Sequence, residues 1–129
     1  MIDETYSDLI LELNKNPLNK RKIKGISYRD KNPFCGDEIE MILNIENGKV
    51  IDAGFQGHGC AISQAAASLI SEQVKGKNVG EIVRMDISSV LQELGVPLLK
   101  NNHVRIKCAL LPLKAMKMAG FIYLARVKE

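Results

Sequence analysis

Apolar residues along this chain follow two different periods, and the change from one to the other marks out the elements. Ile2, Tyr6, Leu9, Ile10 and Leu13 recur at spacings of three and four, which predicts an amphipathic helix over Asp3 to Asn14. Asn16-Pro17 ends it, because the residue before a proline is pushed out of helical geometry. A basic connector leads to a short strand predicted around Ile23 to Arg29. Period two then takes over: Met41, Leu43 and Ile45 alternate with polar or mixed positions, Asn47-Gly48 makes a turn, and Ile51, Ala53 and Phe55 resume the alternation. Asn-Gly suits a type I′ turn, in which both central residues need positive φ. These segments predict three antiparallel strands, each half exposed.

Helical patterning returns after Cys60. The run from Ala61 to Ile70 reads as a helix of small residues able to pack closely on the sheet, with Gly76 as its terminator. A helical turn near Val79 to Arg84 and a helix from Asp86 as N-cap to Gly95 follow. A last helix is predicted from about Cys108 to Ala125, with Pro112 in its first turn, where a proline is tolerated. Helix, three strands, then helices is an α+β order. No repeat or linker divides it, so residues 1–129 are expected to form one domain.

Composition narrows the class. Of the 129 residues, 46% are apolar and 26% charged, which matches a globular chain and argues against disorder. No run approaches the roughly 20 consecutive apolar residues of a membrane span, and the acidic first residues are unlike a secretory leader. A cytoplasmic location without membrane attachment is expected. The net charge of +3 includes a cluster at Lys20, Arg21, Lys22 and Lys24, which has no aromatic interleaving or nucleic-acid motif and reads as a solvated or protein-docking loop. Three cysteines with no secretory signal are expected to be reduced thiols rather than a disulfide framework.

Those cysteines lie at junctions between predicted elements. Cys35 sits in Asn32-Pro33-Phe34-Cys35-Gly36-Asp37 before the hairpin; Cys60 ends Gly57-His58-Gly59-Cys60 after it; Cys108 opens the last helix. A helix N-terminus lowers a thiol pKa, which favours thiolates at Cys60 and Cys108, and Arg105 and Lys107 add positive charge beside Cys108. Asp37 is two residues from Cys35, with Gly36 between them adding no bulk. Three sulfurs and one oxygen would complete a tetrahedral site for zinc or a cluster iron. The alternative for each residue is structural: buried apolar cysteines, a turn aspartate, glycines that only form turns, and loop or surface histidines at His58 and His103. No acid–base dyad, phosphate loop or Ser/His/Asp arrangement is present to suggest a conventional metabolic enzyme.

Four ordered segments resemble one family. Asn16-Pro17-Leu18-Asn19, Asn32-Pro33-Phe34-Cys35-Gly36-Asp37, Phe55-Gln56-Gly57-His58-Gly59-Cys60-Ala61-Ile62-Ser63 and Arg105-Ile106-Lys107-Cys108-Ala109 are similar to the U-type iron–sulfur scaffold proteins: IscU, SufU and the N-terminal part of NifU. The resemblance implies a SufE/NifU-like fold and metal ligands at Cys35, Asp37, Cys60 and Cys108, with Gly36, Gly59, Arg105 and Lys107 in support. It further implies that a SufS- or IscS-type cysteine desulfurase supplies sulfur, with Cys108 as the candidate persulfide acceptor. A transient [2Fe–2S] cluster or iron would form there and pass to apo iron–sulfur proteins or carriers, or Zn²⁺ would occupy the site as part of a sulfur relay. Cys60-Ala61-Ile62-Ser63 and Lys107 look like the SufU branch, although the interval from Cys60 to Cys108 lacks the insertion usual there. Lys100-Asn101-Asn102-His103-Val104 stands where IscU proteins carry a Leu-Pro-Pro-Val-Lys chaperone motif, so a dedicated Hsp70-type partner is not implied.

Overall fold

The computed structural model describes residues 8–33, 36–94 and 103–127. In chain order the elements are α1 (Asp8–Lys15), β1 (Ile26–Lys31), β2 (Glu38–Glu46), β3 (Lys49–His58), α2 (Ala61–Gln73), α3 (Val79–Ile82), α4 (Ile87–Leu94) and α5 (His103–Val127). The strands form an antiparallel sheet in the order β1-β2-β3, with Met41 opposite both Tyr28 and Phe55. The α+β architecture and the three-stranded sheet packed with helices are as the patterning predicts.

Local chemistry accounts for the hairpin. Asn47 and Gly48 both take positive φ, 53° and 79°, as a type I′ turn requires. The amide of Gly48 donates to the Tyr123 hydroxyl at 2.9 Å, which fastens the turn to α5. The outer edge of β3 is covered at two places. Val50 N–H donates to the Lys77 carbonyl at 3.0 Å, and Phe55 N–H to the Asn19 carbonyl at 3.0 Å. Covered edges of this kind deny another chain a template for pairing.

One face of the sheet carries the core. Ile39, Met41, Leu43, Val50, Ala53 and Phe55 are buried there against α2 and α5. α5 packs over β1 and β2, α2 lies nearer β3, and α1 packs on α2 through buried Ile10 and Leu13. The small residues Ala65, Ala66 and Ala67 are fully buried, which lets α2 sit close to its neighbours.

Several expectations need correction. Ile51 is 48% exposed although the alternation places it with Ala53 and Phe55. The register shifts between Asn44 and Ile45, so Ile45 pairs with Val50 and Asn44 with Asp52, leaving Ile51 as the extra residue of a bulge. Val50 takes the inward position instead. The sheet's other face is not simply exposed: Ile42 is buried, and the connector crosses Gly54, where a Cβ would lie 2.6 Å from the Arg21 carbonyl oxygen. That crossing leaves β1 to begin at Ile26, not Ile23.

The largest change concerns α5. It begins at His103, five residues before Cys108, and Pro112 lies well inside it. Pro112 cannot donate to the Cys108 carbonyl one turn earlier, yet the helix continues because its buried face is held by the sheet and α2. By length and composition Lys107–Val127 could cross a membrane, a stretch that interrupting lysines hid from a search for unbroken apolar runs. Half of it is buried in the protein core. The described part of the first helix runs from Asp8 to Lys15, one residue past the predicted end. Ile2, Tyr6 and Gly95 lie outside the described residues.

Candidate metal centre

Three chain segments bring the site together at one end of the sheet. The first is the turn from β1 into β2. Gly36 N–H donates to the Asn32 carbonyl at 2.9 Å, and Asn32 N–H returns a bond to the Asp37 carbonyl at 2.8 Å. Gly36 adopts φ 77°, a conformation that other residues rarely take, and so delivers Asp37 to the start of β2. Asp37 is 5% exposed.

The second segment leaves β3. Gly59 packs directly against Asp37: a Cβ there would lie 2.8 Å from the carboxylate carbon and would also collide with Ser63 Oγ. Only glycine permits this approach. The next residue, Cys60, is the N-cap of α2 and its sulfur accepts from Ser63 N–H at 3.5 Å. Cys60 N–H donates to Asp37 Oδ2 at 3.2 Å, while Ser63 Oγ donates to the Cys60 carbonyl at 3.0 Å. Ser63 entered the sequence reading only within the run Cys60-Ala61-Ile62-Ser63, with no role given to its amide or hydroxyl.

The third segment is α5, which contributes Cys108 from its second turn. Cys108 is 4% exposed and packs into the main core. Of the two thiols at which a helix-terminus effect is expected, only Cys60 keeps it, because its residue caps α2. Ligand atoms of Asp37, Cys60 and Cys108 all lie within 4.8 Å of one another.

Electrostatics distinguish the two described cysteines. The Cys60 thiol is lowered from its ordinary value to about 6, chiefly by the hydrogen bond from Cys108. Burial opposes this; the amide and hydroxyl of Ser63 reinforce it, and the Asp37 charge raises the value again. Cys60 is thus a thiolate at neutral pH, with a thiol and a carboxylate beside it. Lys107 is exposed and lines a groove with Lys31, Asn32, Leu111 and Lys114, which gathers positive charge beside the turn that leads to Asp37.

Two soft sulfurs and one carboxylate oxygen form a donor set suited to zinc or iron. Cys35, the remaining sequence candidate, lies outside the described residues. Gly36 and Gly59 both shape the site by the geometry given above. Arg105 belongs to the first turn of α5, and His103 begins that helix. His58 is exposed at the end of β3 and is not among the clustered ligand atoms.

Comparisons with known proteins find relatives along nearly the whole chain. A family model described as the NifU-like N terminal domain matches residues 5–129. A Thermotoga maritima protein named iron–sulfur cluster assembly scaffold protein IscU is 36% identical over 133 residues, covering 88% of this chain and 91% of its own. The Bacillus subtilis protein named zinc-dependent sulfurtransferase SufU is 33% identical over 131 residues, covering 90% and 89%. A crystal structure from Fervidobacterium islandicum, described as a SUF-system iron–sulfur cluster assembly scaffold protein, superposes with a TM-score of 0.77 at 32% identity. It covers 90% of this chain and 96% of the other. With a family model spanning nearly all of its length and relatives above 30% identity, this chain belongs to the NifU-like N-terminal domain family.

Proposed function

We propose that this protein is an iron–sulfur cluster assembly scaffold: it accepts sulfur from a cysteine desulfurase, carries a labile [2Fe–2S] cluster and passes it to apo-proteins. The observation that carries this reading is the convergence of Asp37, Cys60 and Cys108 within 4.8 Å, with Cys35 as the proposed fourth ligand. The names of the Thermotoga and Fervidobacterium relatives support the same reading.

The chain's own groups suit sulfur transfer. A thiolate attacks the outer sulfur of a desulfurase persulfide; the sulfur–sulfur bond breaks, and the desulfurase leaves as its thiolate. Cys108 is the proposed acceptor. Its thiol donates to Cys60, so Cys60 can take the proton and leave Cys108 nucleophilic. Asp37 fixes the Cys60 backbone and offers an oxygen where stable clusters ordinarily have a fourth cysteine. A harder, more exchangeable donor favours release of the cargo. Reduced thiols require a reducing compartment, consistent with the cytoplasm.

The second reading is a zinc-bound sulfur relay, favoured by the name of the Bacillus relative and by the thiolate–carboxylate donor set. Bound zinc would keep the thiols deprotonated and ordered until a desulfurase cysteine displaces a ligand.

Anaerobic reconstitution with iron, cysteine and a desulfurase, followed by transfer to apo-ferredoxin, separates the two. A visible-absorbing cluster that forms and transfers is the expected result. Tightly held zinc that resists cluster formation while the desulfurase accelerates would establish the relay. Loss of fold on zinc removal, without any desulfurase stimulation, would reduce the site to a structural zinc module and overturn both.

A further inference from the structure

A polar stripe runs along α2 on the face that begins with Cys60. Cys60, Gln64, Ser68 and Ser71 stand at i, i+4, i+8 and i+11, and so share one side of the helix. Ser68 accepts from Leu18 N–H at 3.2 Å, and Ser71 accepts from the Asn19 amide at 3.0 Å, tying the connector to the helix. Cys60 belongs to the metal centre. Gln64 differs from all three: it is 7% exposed, and among the described residues neither its Nε2 nor its Oε1 has a hydrogen-bond partner.

A buried amide with both ends unsatisfied destabilises the fold, whereas an apolar side chain of the same shape would not. Gln64 is also the one long polar side chain in the run from Ala61 to Ile70, where its neighbours are small or apolar. Helical side chains lean toward the N-terminus, so a side chain at position 64 is directed toward the turn that holds Cys60. Its backbone N–H already bonds to the Cys60 carbonyl at 3.1 Å.

We infer that Gln64 is a positioning residue of the metal centre, donating a hydrogen bond from its side-chain amide to the Cys60 sulfur once that sulfur holds a metal ion or cluster. In the structure Cys60 is served by Ser63 and by the Cys108 thiol. Coordination removes the thiol protons, so the bond from Cys108 is lost and the Cys60 sulfur can accept another donor. Hydrogen bonds to ligating sulfurs stabilise the bound state and tune its electronic properties.

This inference rests on the metal-binding reading of Asp37, Cys60 and Cys108, and the test separates the two. The probe is Co²⁺, titrated into metal-free protein and followed by its thiolate-to-cobalt charge-transfer absorption, with Gln64→Met compared against the wild type. The expected result is about ten-fold weaker binding by the variant, with a shifted charge-transfer band. Metal-free Gln64→Met should melt no lower than wild type, because an idle buried amide has been replaced by an apolar chain. If the wild type develops no charge-transfer band, the metal-binding reading itself fails. If both proteins bind alike, or binding weakens with the band unmoved, the role assigned to Gln64 is overturned. Should the variant not fold, the wild type still decides: Zn²⁺ must shift the Gln64 side-chain amide NMR resonances and slow their exchange with water, and unmoved resonances refute the inference.

Discussion

At the scale of single residues, the site depends on contacts that tolerate little change. Gly59 has no room for a methyl group between the Asp37 carboxylate and Ser63. Gly59→Ala should push that carboxylate aside and weaken metal binding by about ten-fold or more, measured by competition against a chelator; unchanged affinity would mean that Asp37 is not held as described. Cys60 yields a pH prediction. Its thiol lies near 6 in the fold and near 8.5 in an unfolded chain, so the fold favours the thiolate. The resulting stabilisation of metal-free protein is complete above the unfolded value and disappears as pH falls through about 6. Alkylation of Cys60 by iodoacetamide should therefore rise with a midpoint near 6, and a midpoint above 8 would contradict the assigned hydrogen bonds. Asp37→Cys should lengthen the life of a bound cluster, read from the decay of its visible absorption, because a thiolate replaces the exchangeable oxygen. The sequence made Cys60, Cys108 and Asp37 legible as chemistry-bearing residues at junctions. It did not show Ser63 or Gln64, whose parts depend on where helix α2 begins and on which face is buried.

Among elements, the hairpin was the most legible, because alternation and Asn47-Gly48 are local signals that tertiary packing does not override. Its bulge was not legible, since either Val50 or Ile51 satisfies the alternation until the register is known. The bulge makes a direct prediction. Ile51→Thr should change stability by no more than about 0.5 kcal/mol, whereas Phe55→Ala, further along the same strand, should cost about 3–5 kcal/mol. Denaturant melts measure both, and a large loss at Ile51 would put that side chain in the core. α5 was misread at its start for a related reason: proline rules describe an isolated helix, while α5 is buried along one face and continues through Pro112. The misreading moved a helix terminus to Cys108 and extended to it an electrostatic effect that belongs to Cys60 alone.

On the scale of the whole molecule, helices α2 and α5 lie on one face of the sheet, and the site is where their chain entries meet the β1–β2 turn. Each segment delivers one described ligand: the turn gives Asp37, the start of α2 gives Cys60, and α5 gives Cys108. A ligand set gathered from three segments this far apart in sequence is invisible to spacing rules built for compact zinc motifs; the junction positions left a metal site as one of two readings, and the resemblance favoured it. The same dispersion means that metal binding couples the segments and should stabilise the fold as it loads. The central claim is that Asp37, Cys60 and Cys108 act together on one metal. Its most direct test is the metal content of protein purified anaerobically under reducing conditions, comparing wild type with folded Asp37→Ala, Cys60→Ser and Cys108→Ser variants. Stoichiometric iron or zinc in the wild type, with sharp loss in both cysteine variants and weakened retention in Asp37→Ala, is the predicted result; equal metal in all four proteins would contradict the account.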